Sequence, residues 1–410
     1  MILYSTFSIL IVLAAIFAYL NFRFLKLPPS IGLMLLALIT SILIIGVGEI
    51  FPAVPALVTQ LLTSFDFSQL LLGSMLSFML FAGAIHVDLK ELQQEKLSVI
   101  LFSTLSVLLS TFIIGTSLYF ITGLFNIQPG FIYCLLFGAL ISPTDPIAVL
   151  SILKEARIGK SLEMKIAGES LFNDGVAVVV FLTILEVAHN PSDIHWYDIL
   201  RLFLQEAAGG IALGIAAGYA GFLLLKSIDN YKVEVLITIA IVMGGYSIAD
   251  FLHVSGPLAV VVAGIILGNQ GKKLAMSATT HESIDKFWEL IDETLNSILF
   301  VLIGMELLTI HFHATYFILA AITIVVVLVT RYISVLIPAQ VIKLKEIITH
   351  RTILILTWGG LRGGISVALA LSLQPEMHRE LWVTLTYFVV AFSILFQGLT
   401  IGKLAGRLKN

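Results

Sequence analysis

The sequence predicts an all-α polytopic membrane protein with about thirteen transmembrane helices. Of its 410 residues, 59% are hydrophobic and only 12% are charged, about half the charged fraction that is usual in soluble domains. Many of its apolar runs reach the length of about 18 residues that spans a bilayer. The formal net charge of -3 is too small to indicate a partner. No basic cluster is large enough to suggest nucleic acid, and the apolar runs predict membrane lipid as the surroundings.

Thirteen apolar segments can be drawn along the chain as transmembrane helices. Their approximate limits are 2–22, 30–48, 68–87, 98–123, 130–150, 166–188, 199–225, 233–252, 256–270, 284–307, 314–338, 352–374 and 381–402. The stretch GVGEIFPAVP (46–55), at the end of the second segment, predicts a loop because glycines and prolines interrupt regular structure there.

The distribution of basic residues favours this count of segments. Of the 23 lysines and arginines, all but five flank segment ends on one side of the membrane, and only Arg201 and Arg379 flank the other side. One missed helix would invert every later loop and destroy this separation. The N-terminus is therefore predicted outside and the C-terminus in the cytoplasm. The residues on the cytoplasmic side are Arg23, Lys26, Lys90, Lys96, Lys154, Arg157, Lys160, Lys165, Lys226, Lys232, Lys272, Lys273, Lys343, Lys345, Arg351, Lys403, Arg407 and Lys409.

Thirteen helices divide into two six-helix halves of opposite orientation joined by one linker helix, as in the inverted repeats of many secondary transporters. The fifth helix of the first half carries ISPTDPIAV (141–149), and the fifth helix of the second half carries WGGLRGGIS (358–366). Prolines interrupt the first and glycines the second. Interrupted helices at matching places predict a binding site near the membrane midplane. For the second segment alone, close helix packing through glycine is an alternative.

The SPTDP stretch predicts part of that site. Pro143 and Pro146 open the helix beside Asp145, so its carboxylate lies near freed carbonyls and the Thr144 hydroxyl. Hard alkali cations prefer such oxygen ligands. A capped helix break at the membrane surface is the structural alternative.

The GESLFNDG stretch predicts the rest of the site. Glu169 and Asn173 are four residues apart, and so are Ser170 and Asp174, which places the four side chains in two adjacent rows on one helix face. Such a polar stripe faces protein or water rather than lipid. Burial disfavours a bare carboxylate, so Asp174 can exchange a neutralising proton for a cation. A purely structural hydrogen-bond network is the alternative.

Two arginines also lie inside apolar segments. Arg331, in VVLVTRYISVL, requires an anionic partner in such a setting, and Glu169 is the best candidate. Arg362, in the glycine-rich interruption, is expected either to pair with a carboxylate or to cap exposed carbonyls.

Taken together, SPTDP, ESLFNDG, the arginine of TRYIS and GGLRGG make the chain resemble the sodium/proton antiporters of the NhaP/NHE type over nearly its whole length. The resemblance implies a homodimer in which a core domain moves against a dimerisation domain, and two broken helices that cross near the ion. It implies that Asp174 is the main carrier of cation and proton. The sodium ligands that it implies are Asp174, Asp145, Thr144 and Ser170.

The same resemblance implies that Asn173 holds the site together and that Glu169 and Arg331 form a structural ion pair. It places Arg362 in the core. One departure concerns the third helix, where related chains often carry an acidic residue in a stretch like LLFEGG. This chain reads MLFAGA there, with Ala82 at the matching position.

The resemblance also implies a division of the chain into domains. The implied ranges are 1–97 for dimerisation helices 1–3, 98–190 for core helices 4–6, 191–232 for linker helix 7, 233–308 for dimerisation helices 8–10, and 309–410 for core helices 11–13.

The expected function is secondary active exchange of sodium or lithium for protons across the cell membrane, serving pH homeostasis, without enzymatic activity or a cofactor. Electrogenic relatives carry an aspartate at the position of Asn173. One carboxylate is therefore expected to alternate between one proton and one cation, so that the membrane potential does not drive the exchange. A potassium/proton antiporter and, more distantly, a cation channel remain alternatives. An intramembrane aspartyl protease would also carry two membrane aspartates, but it would need them close together as an acid/base dyad. The buried arginines, Asn173 beside Asp174 and the inverted halves disfavour this alternative.

Overall fold

The computed structural model describes residues 2–63, 70–146, 149–150, 152–153, 159–189, 196–310, 313–342 and 348–408. Most of these residues lie in helices, and no β-strand occurs within these ranges. One isolated antiparallel bridge joins Asp145 to Leu361. The predicted all-helical fold class is confirmed.

The helices follow the predicted segments along the chain. In the first half they are α1 Ile2–Leu20, α2 Pro29–Gly48, α3 Ala53–Thr63, α4 Leu71–Ile85, α5 Leu89–Gln94, α6 Lys96–Ser103, α7 Leu105–Leu124, α8 Phe131–Ile141 and α9 Lys160–His189. From there they are α10 Trp196–Lys226, α11 Tyr231–Phe251, α12 Gly256–Ile266, α13 Ala278–Met305, α14 Ala314–Ile342, α15 His350–Trp358, α16 Gly364–Leu371, α17 Arg379–Phe392 and α18 Gly398–Leu408.

Eight helical spans in the described part of the chain are long and apolar enough to cross a membrane. They are Phe7–Leu25, Pro29–Gly48, Lys96–Leu124, Lys160–His189, Tyr197–Lys226, Tyr231–Phe251, Ala314–Ile342 and Arg379–Arg407. Shorter apolar helices lie at the predicted third, fifth and ninth segments. The chain is a multi-pass membrane protein, while the count of thirteen spans stays a prediction.

The loop predicted for GVGEIFPAVP is wrong over part of its length. Helix α2 continues to Gly48, and α3 begins at Ala53. Pro55 lies in the first turn of α3, where a backbone N–H would have no intrahelical acceptor and its loss is tolerated.

The helices pack in two groups. In the first, α7 packs against α8 and α14, α9 against α6 and α8, and α17 against α14 and α16. In the second, α2 and α4 pack against α13, and α12 packs against α4, α10 and α11. The identification of these groups as the core and dimerisation domains remains a prediction.

Candidate functional site

Two interrupted helices meet at the centre of the first group. Helix α8 ends at Ile141 and α15 ends at Trp358, and neither 142–146 nor 359–363 is helical. The Asp145 backbone N–H donates a hydrogen bond of 2.7 Å to the Leu361 carbonyl. A side chain at Gly363 would place its Cβ 2.7 Å from the Cβ of Asp145, so only glycine allows this close approach.

Arg362 ties the two interruptions together. Its Nη1 donates to the carbonyl oxygens of Ser142 and Pro143, the latter at 3.1 Å. Its backbone N–H donates to Ser393 Oγ at 2.9 Å. Of the two roles expected for Arg362, its described contacts show the capping of carbonyls, which α8 leaves without helical partners where it ends.

Three polar side chains form a buried network between the first interruption and α9. Asn173 Nδ2 donates to Thr144 Oγ1 at 2.8 Å, and the Thr144 backbone N–H lies 3.4 Å from Asn173 Oδ1. The Thr144 and Ser170 hydroxyl oxygens are 3.2 Å apart. Asn173 thus holds the main chain and the side chain of Thr144 at once, and two hydroxyl oxygens lie side by side.

Glu169 and Arg331 form a buried ion pair behind this network. Arg331 Nη1 lies 2.6 Å from Glu169 Oε1, and the two residues are 4% and 1% exposed. Arg331 Nη2 also donates to the Leu356 carbonyl at 3.1 Å. The pairing neutralises the Glu169 charge within the protein interior.

A cavity of about 500 Å³ leads to the two aspartates. Asp174 and Asp145 line it, as do Thr144 and Ala82. Asp174 is 8% exposed, and burial, followed by the charge of Asp145, disfavours its bare carboxylate. The structure therefore brings together five predicted site residues, Asp174, Asp145, Thr144, Ser170 and Asn173. Glu169 lies on the same helix, α9, and pairs with Arg331 of α14.

The arrangement suits an alkali cation. Two carboxylates and two hydroxyls offer hard oxygen ligands of the kind that such ions prefer. Within the described ranges, no group of three or more histidine, cysteine or acidic side chains is placed to hold a metal ion.

Among the residues that line the cavity, sequence reasoning missed Ser366 and three acidic residues of α13, Glu289, Asp292 and Glu293. Asp292 belongs to the predicted segment 284–307, whose first half also carries Glu289 and Glu293, so the pattern resembled a helix entering from water. Ser366 lies in the quoted WGGLRGGIS, but a serine has no charge to distinguish a site residue from a packing residue.

Comparison with known proteins identifies the family. A family model described as "Sodium/hydrogen exchanger, transmembrane" matches residues 11–406, nearly the whole chain. The chain belongs to the sodium/hydrogen exchanger family. It is 48% identical over 403 residues to the Na(+)/H(+) antiporter NhaP of Pseudomonas aeruginosa, a match that covers 97% of this chain and 95% of that protein.

A second relative agrees with this chain in length, and a solved structure agrees with it in fold. The Na(+)/H(+) antiporter NhaH of Halobacillus dabanensis is 32% identical over 390 residues, or 94% of this chain and 93% of that one. The sodium proton antiporter MjNhaP1 of Methanocaldococcus jannaschii superposes with a TM-score of 0.79 over 100% of this chain and 99% of that chain, at 20% identity. At that identity the superposition shows the exchanger fold alone. The predicted resemblance to this class of antiporter is confirmed.

Proposed function

We propose that this protein exchanges sodium for protons across the cell membrane, one for one, by alternating access at Asp174. The observation that carries the proposal is the position of Asp174, which lines one cavity with Thr144 and Asp145 beside the meeting point of two interrupted helices. Relatives that span nearly the whole chain are named Na(+)/H(+) antiporters.

Competition for one carboxylate couples the two flows. Asp174 binds a proton or a cation, and either one neutralises its charge. A bare carboxylate in the interior is costly to move across the membrane, so the transporter changes conformation only when Asp174 is loaded. The Thr144 and Ser170 hydroxyls and the Asp145 carboxylate replace water around the cation.

The neighbouring groups keep the charge balance simple. Asn173 is neutral, and the charge of Glu169 is matched by Arg331 at 2.6 Å. Asp174 is then the group that exchanges its partner during the cycle. Net charge does not cross the membrane, and only the gradients of the two ions drive the exchange.

The remaining expectations belong to the same proposal. The N-terminus lies outside and the C-terminus in the cytoplasm. His86 and Glu289, near segment ends that this topology places on the cytoplasmic side, line the cavity, so the cavity opens to the cytoplasm. The core helices, in 98–190 and 309–410, move against dimerisation helices in 1–97 and 233–308 of a homodimer, joined through 191–232. The protein serves pH homeostasis and uses neither a cofactor nor enzymatic chemistry.

Proton flux in proteoliposomes tests the proposal. Sodium, and then potassium, is added with the membrane potential clamped or free, for the wild type and for Asp174→Asn. Asp250→Asn is the matched control, because it removes the same charge from an exposed position on α11. We expect sodium to drive proton efflux that ignores the potential, is lost in Asp174→Asn and persists in Asp250→Asn.

Each of the other outcomes would contradict a different part of the proposal. Full activity of Asp174→Asn would show that another carboxylate carries the ions. Flux that follows the potential would overturn the one-for-one stoichiometry. Potassium-driven flux would keep the mechanism and change the substrate, and a sodium conductance without proton coupling would indicate a channel.

A further inference from the structure

The cavity carries more negative charge than one exchanging carboxylate requires. Five acidic residues line it, and none of the described residues that line it is lysine or arginine. Three of the five lie on α13 rather than around Asp174. The five are Asp145, Asp174, Glu289, Asp292 and Glu293.

Asp292 is the least exposed of the three on α13, since Glu289 and Glu293 are exposed and Asp292 is half-buried. It makes no salt bridge with the described residues, and Asn296 Nδ2 donates to its Oδ1 at 2.9 Å. Burial, and then the like charges of Asp145 and Glu293, disfavour its bare carboxylate. An amide donor alone leaves this repulsion uncompensated, so the carboxylate favours a nearby cation.

The orientation of α13 directs Asp292 towards the interrupted helix of the second half. Leu299 lies seven residues after Asp292, two helical turns further along the same face. A side chain at Gly364 would overlap the Leu299 side chain, so this face of α13 contacts the first turn of α16. Asp292 and the start of α16 therefore border the same space.

Two buried oxygens without hydrogen-bond partners in the described structure lie at this boundary. The first is Asn296 Oδ1, on the amide group that already holds Asp292. The second is the Ser366 hydroxyl, in the first turn of α16. Ser366 is 1% exposed and lines the cavity. Buried polar atoms rarely remain without a partner, and both oxygens can bind a cation or its water.

We propose that Asp292, Asn296 and Ser366 form a second site for a partly hydrated monovalent cation, next to Asp145 and on the path to Asp174. The site rests on the proposed function. The cavity of about 500 Å³ has room for waters beside the ion, so the ion keeps part of its hydration shell. Asp292 supplies the charge, and the two neutral oxygens fix the position.

This second cation is not itself transported. Asp292 and Asn296 lie on α13, in the helix group separate from α9, which carries Asp174. When α9 and α16 move together, Ser366 moves with them, and the second cation stays with Asp292 and Asn296 on α13. The site therefore concentrates cations beside Asp174 without changing the one-for-one stoichiometry.

A binding experiment tests the site without transport. The melting temperature of purified Asp174→Asn protein is measured as sodium chloride replaces choline chloride. We expect sodium to raise it still, because the second site is intact. Adding Asp292→Asn abolishes the rise, and adding Ser366→Ala shifts it to higher sodium concentration. Adding Glu289→Gln, which removes a charge from an exposed position on the same helix, preserves it.

A transport experiment tests its role in the otherwise unaltered protein. Asp292→Asn raises the half-saturating sodium concentration by roughly fivefold or more, the low end of coupling between two interacting sites. Ser366→Ala raises it by about two- to tenfold, as expected for one lost neutral contact. The maximal rate stays within about twofold of the wild-type rate, and in vesicles of each orientation the change is confined to the face where the cavity opens.

Two results would overturn the second site. One is that sodium fails to raise the melting temperature of Asp174→Asn, or that it still raises the melting temperature after Asp292→Asn is added. The other is that Glu289→Gln changes the half-saturating sodium concentration as much as Asp292→Asn does, and that added choline chloride removes both effects equally. Screening by salt in this way is typical of long-range attraction rather than of a binding site. Failure of the proposed function is distinct, since the wild type would then show no sodium-driven proton flux.

Discussion

Glu169 and Arg331 place opposite charges 2.6 Å apart where both residues are almost fully buried. The attraction between them offsets the cost of removing both groups from water. Removing one partner strands the other charge in the interior, whereas removing both strands neither. The pair therefore couples the two residues strongly.

Substitution of this ion pair is the prediction at the residue scale. Glu169→Gln and Arg331→Met are each expected to lower the free energy of unfolding by about 3–5 kcal/mol. The double variant is expected to lose much less than the sum of the two. Thermal or denaturant unfolding of the four proteins in detergent completes the cycle. Additive losses would show that the two residues stabilise the protein independently.

The sequence alone could predict this pairing but not the details of the network beside it. An arginine within an apolar run requires an acid, and Glu169 is the best-placed candidate. The hydrogen bonds between Asn173 and Thr144, in contrast, join residues 29 positions apart through a main-chain N–H as well as side chains. Residue types carry no signal for that main-chain contact.

At the scale of the helices, the two interruptions approach so closely that there is no room for a side chain at the contact. The Asp145–Leu361 bridge joins them directly, and Gly363 lies against the Asp145 side chain. A methyl group at Gly363 would push the interruptions apart and displace the carboxylate. Small displacements of a positioned group have large effects on rate.

Gly363→Ala is therefore expected to slow sodium-driven proton flux by roughly tenfold or more. Gly244→Ala is the matched control, since a Cβ there would meet nothing within 4 Å. In the interior of α11 it is expected to be neutral or to stabilise the helix by about 0.5–1 kcal/mol. Flux of the Gly363 variant equal to that of the control would show that the close approach does not position the site.

The positions of the interruptions could be predicted because proline and glycine disfavour helix. The contact partner of each interruption could not, because Asp145 bonds to the Leu361 main chain and Arg362 to the main chain of 142–143. Any residue offers a carbonyl, so the sequence left the two roles of Arg362 open. Similarly, the position of Asp292 at the cavity could not be predicted, because it lies in an amphipathic segment whose depth in the bilayer depends on packing.

For the whole molecule, the proposed competition links the sodium concentration to the pH range of transport. Protons occupy Asp174 at low pH and reduce cation binding, while at high pH protons for the return step become scarce. Because one proton competes with one cation, tenfold more sodium offsets tenfold more protons.

The acid limb of the pH–rate profile is thus expected to move to lower pH by about one unit for each tenfold rise in sodium, below saturation. Initial rates in proteoliposomes at a series of pH values and sodium concentrations measure this shift. A shift of about half a unit would mean that two protons compete with each cation, and no shift would mean that the two ions bind at separate groups.

The null point of exchange tests the one-for-one claim most directly. Proteoliposomes are prepared with a tenfold sodium gradient, and the pH difference at which net proton flux vanishes is measured with the potential clamped at zero and at about 100 mV. We expect flux to vanish at a pH difference of about one unit at both potentials, because no net charge crosses the membrane. A null point that moves with the potential would contradict the exchange of one cation for one proton at Asp174.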